Sequence, residues 1–240
     1  MTETAPTGEK IAERKLIVYK TLVDPTVVKV AGEKLKSKLF TRFGFFKPRS
    51  EEIQFVSVDK YYEPCILING RYMIDYYRKS AYMVNVDERV QEIILFNQKI
   101  KPKPAKKPSA RGYKVIELEG EEHLQYGSNA SLVLDKTGRE VPLKHLASAP
   151  SEEHPEKMLA ELGENAKKLE IASDADVGVL KSKILRRPTD IMRIVRELFE
   201  VTERAVIYTP IYTVLFQNVR TGEVKALEFD GVTSKRISQR

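Results

Sequence analysis

Two hydrophobic periods alternate along this chain. The run from residue 65 to residue 77 reads as strand, whose side-chain alternation places Tyr72, Ile74 and Tyr76 on one face and Arg71, Asp75 and Tyr77 on the other. Asn69-Gly70 splits that run after Cys65-Ile66-Leu67-Ile68 and predicts a two-residue hairpin turn, because a type I′ turn needs two residues that tolerate positive φ. Further strands are expected at 82–86 and 90–96. Near the other end, residues 205–219 are rich in Val, Ile, Tyr, Thr and Phe; the turn Arg220-Thr221-Gly222-Glu223 leads to a strand over 224–229, closing on Asp230-Gly231. Pro210 cannot donate to a ladder, so it belongs at a strand start, an edge or a bulge. Ahead of this hairpin, Ile191, Ile194, Val195, Leu198 and Phe199 recur at helical spacing after Pro188-Thr189-Asp190, which predicts a helix. Residues 33–40 also read as helix, and 51–58 fit helix or strand. Short strands are expected at 113–119 and 130–134, a turn at Asp135-Lys136-Thr137-Gly138, a strand at 140–143 and a polar helix over 155–169.

An internal repeat organises these elements. Leu35-Lys36-Ser37-Lys38-Leu39 recurs as Leu180-Lys181-Ser182-Lys183-Ile184, and Tyr62-Glu63-Pro64 recurs at nearly the same distance downstream as Tyr208-Thr209-Pro210. A third pair, Val84-Asn85-Val86-Asp87 and Leu227-Glu228-Phe229-Asp230, keeps the order. The expected fold is therefore α+β: two diverged modules, each a helix plus an antiparallel β-hairpin, at 14–98 and 173–240. A disordered tail (1–13), a basic Pro/Lys linker (99–112) and an acidic β/α segment (113–172) complete the chain. In the linker, Pro102, Pro104 and Pro108 alternate with lysines, a composition that stays extended and solvated. The helix-and-hairpin pattern ending in Asp230-Gly231-Val232-Thr233 resembles PepSY-type modules over some thirty residues, with Ser234 where those modules usually place a glycine; the resemblance implies nothing about function.

Charge follows the same division. The net charge of +7 is distributed as +9 over residues 1–113, −7 over 114–176 and +5 over 177–240, two basic ends around an acidic middle. Cys65 is the only cysteine, so the chain has neither an intrachain disulfide nor a cysteine cluster for zinc, which suits a reducing compartment. No apolar run approaches the roughly 18 residues of a membrane span, and a cytoplasmic protein with no membrane contact is expected.

Catalytic signatures are absent. The chain has no HExxH, GxGxxG, GxSxG or phosphate-loop Gly-Lys-Ser/Thr, and His123, His145 and His154 lack ligand spacing. Glu121-Glu122 and Glu152-Glu153 read as surface charge, and Asp87 and Asp230 as strand-end turn residues. No catalytic residue, metal site or small-molecule cofactor is expected.

The basic ends carry the candidate chemistry. Lys34, Lys36, Lys38, Arg42, Lys47 and Arg49 interleave with Phe40, Phe43, Phe45 and Phe46, a mixture that pairs phosphates and offers rings to unstacked bases unless the rings fill the core. Lys101, Lys103, Lys106 and Lys107 of the linker and Lys181, Lys183, Arg186 and Arg187 of the second module complete the candidate nucleic-acid-binding set. Arg71, Tyr77, Arg78 and Lys79 form a second candidate surface. The leading expectation is a non-enzymatic protein that contacts structured RNA or a ribosomal particle. An adaptor or homo-oligomeric assembly subunit acting through its sheet edges is the alternative, and an enzyme with an unfamiliar site the third.

Overall fold

The computed structural model describes residues 7–41, 48–104, 114–143 and 146–237. The chain is α+β: mostly antiparallel strands, with three α-helices among the described residues. In chain order these are β1 (Thr7–Ile11), β2 (Lys15–Val18), α1 (Pro25–Leu39), β3 (Ile53–Val86), β4 (Ile93–Leu95), β5 (Gln98–Ile100), β6 (Lys103–Pro104) and β7 (Lys114–Leu134). They are followed by β8 (Glu140–Val141), α2 (Pro155–Leu162), α3 (Ala175–Ile184), β9 (Arg193–Asn218), β10 (Val224–Asp230) and β11 (Arg236–Ile237). The residues gather into two compact units. One takes residues up to 10, 72–128 and 185–199; the other takes 11–71, 129–184 and 200–240.

In the larger unit the strands run β11-β10-β9-β3-β7-β8, with β2 parallel to β9 through Lys15↔Ala205 to Val18↔Tyr208. β10 folds back on β9 from Val224↔Gln217 to Asp230↔Ile211, the hairpin read from the sequence. Pro210 falls where the neighbour of β9 changes from β2 to β10, so its missing N–H breaks no ladder, while its carbonyl accepts from Gly231 N at 2.8 Å. α1 begins at Asp24, whose carboxylate accepts from Thr26 N at 2.8 Å, with Pro25 in the first turn, and ends with Lys36 and Lys38 in its last. It buries Val28 against Tyr212, Val214, Phe216, Leu227 and Phe229, and Phe40 and Ile53 close that core. Gly32 lets the helix approach, since a Cβ there would stand 3.1 Å from the Phe216 ring.

β3 corrects the hairpin expected at Asn69-Gly70: one strand passes through Ile53–Val86, and neither residue takes positive φ. Gly70 serves a close approach instead. A Cβ on it would lie 2.6 Å from Leu180 Cδ2 and 2.7 Å from the Glu200 carbonyl, so any side chain there would have to displace α3 or the backbone of β9. Tyr72, Ile74 and Tyr76 are buried, as their alternation implies.

The helix expected over 191–199 is also corrected, since β9 begins at Arg193. Glu197, Leu198 and Phe199 are all buried, and a strand covered on both faces imitates a helical apolar stripe. The two strands expected at 113–119 and 130–134 are one strand, β7, whose middle is polar on its exposed face. α2 stops at Leu162, seven residues short of the expected end, where Gly163 takes φ 53°. Residues 7–11, expected within a disordered tail, form β1. The 33–40 helix starts earlier, at Pro25, and the ambiguous 51–58 stretch is a 3₁₀ turn followed by strand.

Both LKSK stretches lie in the C-terminal part of a helix, α1 and α3, each followed by a long strand that holds Pro64 or Pro210. The third landmark differs: Asp87 follows the long strand itself, while Asp230 ends the hairpin partner β10. Duplication is not shown by these placements.

In the smaller unit, residues 72–86 of β3 lie between 193–199 of β9 and 114–128 of β7, with β6 on β7 and β4-β5 a separate hairpin. Its turn residues Phe96 and Asn97 both take positive φ, and Phe96 is almost fully exposed. No helix among the described residues is long and apolar enough to cross a membrane.

Candidate functional site

The basic residues expected to meet RNA divide into two groups. Lys36 donates to the Ile53 carbonyl at 3.0 Å and pairs with Glu33 at 2.8 Å. Lys103 pairs with Glu117 at 3.6 Å and Lys183 with Glu140 at 2.5 Å. Arg187 forks onto buried Glu197, which also accepts from Tyr72 at 2.7 Å. Lys181 is half-buried. By contrast Lys34, Lys38, Arg49, Lys101 and Arg186 are exposed, with no ion pair among the described residues. Arg42, Lys47, Lys106 and Lys107 lie outside the described residues, as do Phe43, Phe45 and Phe46 and His145. Phe40 is buried beneath Lys225, so that ring fills core rather than meeting a base.

The second expected surface is committed internally as well. Arg71 pairs with Glu200 at 2.7 Å in the larger unit. In the smaller unit Arg78 bridges Glu122 at 2.7 Å and Asp190 at 2.9 Å, and the Tyr82 hydroxyl donates to Glu122 at 2.6 Å. Those hydrogen bonds, from Tyr82 first and then Arg78, hold the Glu122 carboxyl down at about 2. On the opposite face of the same strands Tyr77 stacks on His123, with ring centroids 4.7 Å apart and planes 11° from parallel; the Arg193 guanidinium stands 4.1 Å from the Tyr77 centroid. Arg193 also reaches Glu121 at 3.6 Å. Side chains from β9, β3 and β7 are thereby locked into one cross-strand ladder.

What this ladder stiffens is a sheet edge. β6 pairs with β7 as Lys103↔Val115 and Pro104↔Lys114. Pro104 has no N–H, so Lys103 must supply the donor, and Val115 is the β7 residue whose main chain faces β6. Alternation carries that orientation along β7: Glu117, Glu119, Glu121, His123, Gln125 and Gly127 turn N–H and C=O to the same side, away from β3. Among the described residues no strand pairs with β7 between Val115, the partner of Lys103, and Val133, the partner of Val141 on β8. The same six residues are exposed. Glu117, Glu119 and Glu121 form an acidic row with a spacing of roughly 7 Å, two strand residues apart.

A concave feature lies in the larger unit. A polar cleft of about 750 Å³ is lined by Tyr61, Glu63, Lys136, Lys167 and Glu228, among others. The Tyr61 hydroxyl lies 3.0 Å from Glu228 and 3.3 Å from Glu63, and Lys136 pairs with Glu63 at 3.3 Å. Burial and the two carboxylates push the Tyr61 phenol well up, so it stays protonated and tied to them. Within the cleft Glu63 is thus held by Lys136 and Tyr61, and Glu228 by Tyr61.

No group of three or more His, Cys, Asp or Glu among the described residues has the arrangement to hold a metal ion. His123 is held in the aromatic stack, and His154 lies exposed just before α2. No family model, curated protein or solved structure matches the chain.

Sequence reasoning missed the edge because pairing is a tertiary property. Its signal was nevertheless present as alternating Glu117-x-Glu119-x-Glu121 within the acidic segment.

Proposed function

We propose that this chain is a non-enzymatic binding protein that takes an extended segment of a protein partner as an added strand on the edge of β7, over residues 117–127. The observation that carries the reading is the run of alternate main-chain groups on β7 that meet no strand among the described residues. Strand addition draws its affinity from such groups and its specificity from the side chains beside them. The ladder of Arg193, Tyr77 and His123 holds the edge in its binding form beforehand, which lowers the ordering cost of association. Long open edges are usually blunted, and the blunting devices on β7 itself are its charges and the glycines Gly120 and Gly127.

Amide hydrogen exchange tests the reading with extended seven-residue peptides. The N–H groups of Glu117, Glu119, Glu121, His123 and Gln125 exchange fast in the free protein and become protected with peptide bound, while Leu118, Glu122 and Leu124, turned to β3, are protected throughout. Equal exchange at both sets, unaltered by peptide, refutes it.

RNA contact remains a second proposal, supported by the exposure of Lys34 and Lys38 on one face of α1 together with Arg49, Lys101 and Arg186. Changing those five to alanine flattens the salt dependence of RNA binding, each lost phosphate contact removing roughly 0.7–0.9 from the log-log slope. An unchanged slope excludes it. The proposal of a duplicated module rests on the two LKSK helix ends, each followed by a proline-bearing long strand.

A further inference from the structure

We infer that the strand received by β7 is a basic one, running antiparallel with lysine or arginine at every second position against Glu117, Glu119 and Glu121. This rests on the edge reading above and specifies its partner.

The chain contains a short example of the match. Lys103 on β6 sits opposite Val115, and its ammonium reaches diagonally to Glu117 at 3.6 Å. A basic residue on the strand beside β7 therefore comes within ion-pairing reach of the acidic row, from the side on which the row projects. β6 ends after two residues, and the row continues past it. Continuing the β6 register along β7 would set one residue opposite Glu117 and the next but one opposite Glu119. The chain's own residues at those offsets are Lys101 and Lys99, again basic and again alternate. Here, however, Gln98–Ile100 pairs with Ile93–Leu95, and Lys99 meets Glu92 at 3.2 Å, so the row beyond Lys103 is left to another strand.

Charge selects among occupants. Residues 114–176 carry a net −7, so a polyanion or an acidic strand is repelled from this edge. A second copy of β7 brings its own three glutamates and supplies no cation on the interacting row. An alternating Lys/Arg strand satisfies the main-chain groups and the carboxylates together.

The probe is an end-capped, fluorescently labelled peptide, Thr-Lys-Val-Lys-Val-Lys-Thr, against a neutral control with threonine in place of each lysine. Binding is measured by anisotropy on the full chain and on the Glu117→Gln/Glu119→Gln/Glu121→Gln variant. The basic peptide is expected to bind about two- to fivefold more tightly than the neutral one, since Glu119 gains a new exposed pair of a few tenths to one kcal/mol while Glu117 and Glu121 already meet Lys103 and Arg193. The preference is expected to vanish in the triple variant and to shrink as salt rises. Equal binding of both peptides, with edge amides protected by each, overturns the basic specificity and leaves the edge reading standing. Failure of both peptides to protect any edge amide overturns the edge reading itself. A micromolar dimer that Gln125→Pro abolishes assigns the edge to a second copy and overturns this inference.

Discussion

Gly70→Ala is expected to destabilise the larger unit through a collision rather than through a turn. The added methyl meets Leu180 Cδ2 at 2.6 Å and the Glu200 carbonyl oxygen at 2.7 Å, both closer than real Cβ contacts allow. The leucine tip can swing aside, but the carbonyl belongs to the neighbouring strand and can move only with its backbone. Overpacking of this kind costs about 1–3 kcal/mol, and the loss of glycine's unfolded-state freedom returns about 0.4–1. The net expectation is about 1–2 kcal/mol, or a fall of roughly 2–8 °C in Tm for a unit of this size. Urea titration followed by circular dichroism measures it. Leu180→Ala alone removes a fully buried side chain and costs about 2–5 kcal/mol. In the double variant one of the two clashes is gone, so the losses should fall short of their sum by about 0.5 kcal/mol or more. A hairpin turn at Asn69-Gly70 would also suffer from Gly70→Ala, yet it would show no coupling to Leu180. Strict additivity, or an alanine variant as stable as the parent, refutes the reasoning.

Three further outcomes are expected. Gln125→Pro should fold with near-parental stability, since its N–H faces the open edge, whereas Leu124→Pro removes a bond to β3 and should cost about 3 kcal/mol or more; equal melting of the two would show the parity assignment to be wrong. Burial pushes the Glu197 carboxyl up, but hydrogen bonds from Arg187 and Tyr72 and the charge of Arg187 outweigh it, so its folded value lies below its unfolded one. The stability it contributes is therefore complete above the ordinary value of 4.5 and lost as pH falls through the folded value, and Glu197→Gln should flatten the acid limb of a stability-versus-pH curve; parallel curves would contradict this. Burial, and then the charge of Glu63, push the Cys65 thiol up to about 12, so at neutral pH iodoacetamide should label native protein about a thousandfold more slowly than a free thiol; rapid labelling would place Cys65 in a different environment.

Where a local rule and the tertiary arrangement agreed, the fold was legible in the sequence. Asp135-Lys136-Thr137-Gly138 is a turn with Gly138 at φ 85° and the Asp135 carboxylate accepting from Thr137 N, and Arg220-Thr221-Gly222-Glu223 places Gly222 at φ 74°. Strand alternation sorted Tyr72, Ile74 and Tyr76 inward. The failures share one cause, a partner remote in sequence. Asn69-Gly70 carries the local chemistry of a hairpin, but the space between Leu180 and Glu200 requires the same glycine in an extended strand. Ile194, Leu198 and Phe199 carry helical spacing, but β3 holds the segment extended through Tyr72 and Glu197. The candidate cations fared likewise: Lys183 and Glu140 are 43 residues apart, and nothing local announces that they pair.

The same reasoning explains why the acidic middle segment, rather than the basic ends, carries the candidate site. A cation distant in sequence from its carboxylate looks available until the fold brings the two together, and Lys103, Lys183 and Arg187 are taken up in this way, while Lys36 pairs locally with Glu33. The glutamates at 117, 119 and 121 behave differently, because successive alternate positions of one strand cannot neutralise one another. They need cations from neighbouring strands, and the described residues bring one such contact to Glu117 and one to Glu121. Glu119, between them, has no ion pair among the described residues. Its main-chain groups are turned to the same unpaired side. Where an unmatched charge and an unmatched hydrogen-bonding edge coincide on one strand, a single added strand with a cation in register answers both, which is the physical basis for proposing β7 as a binding edge.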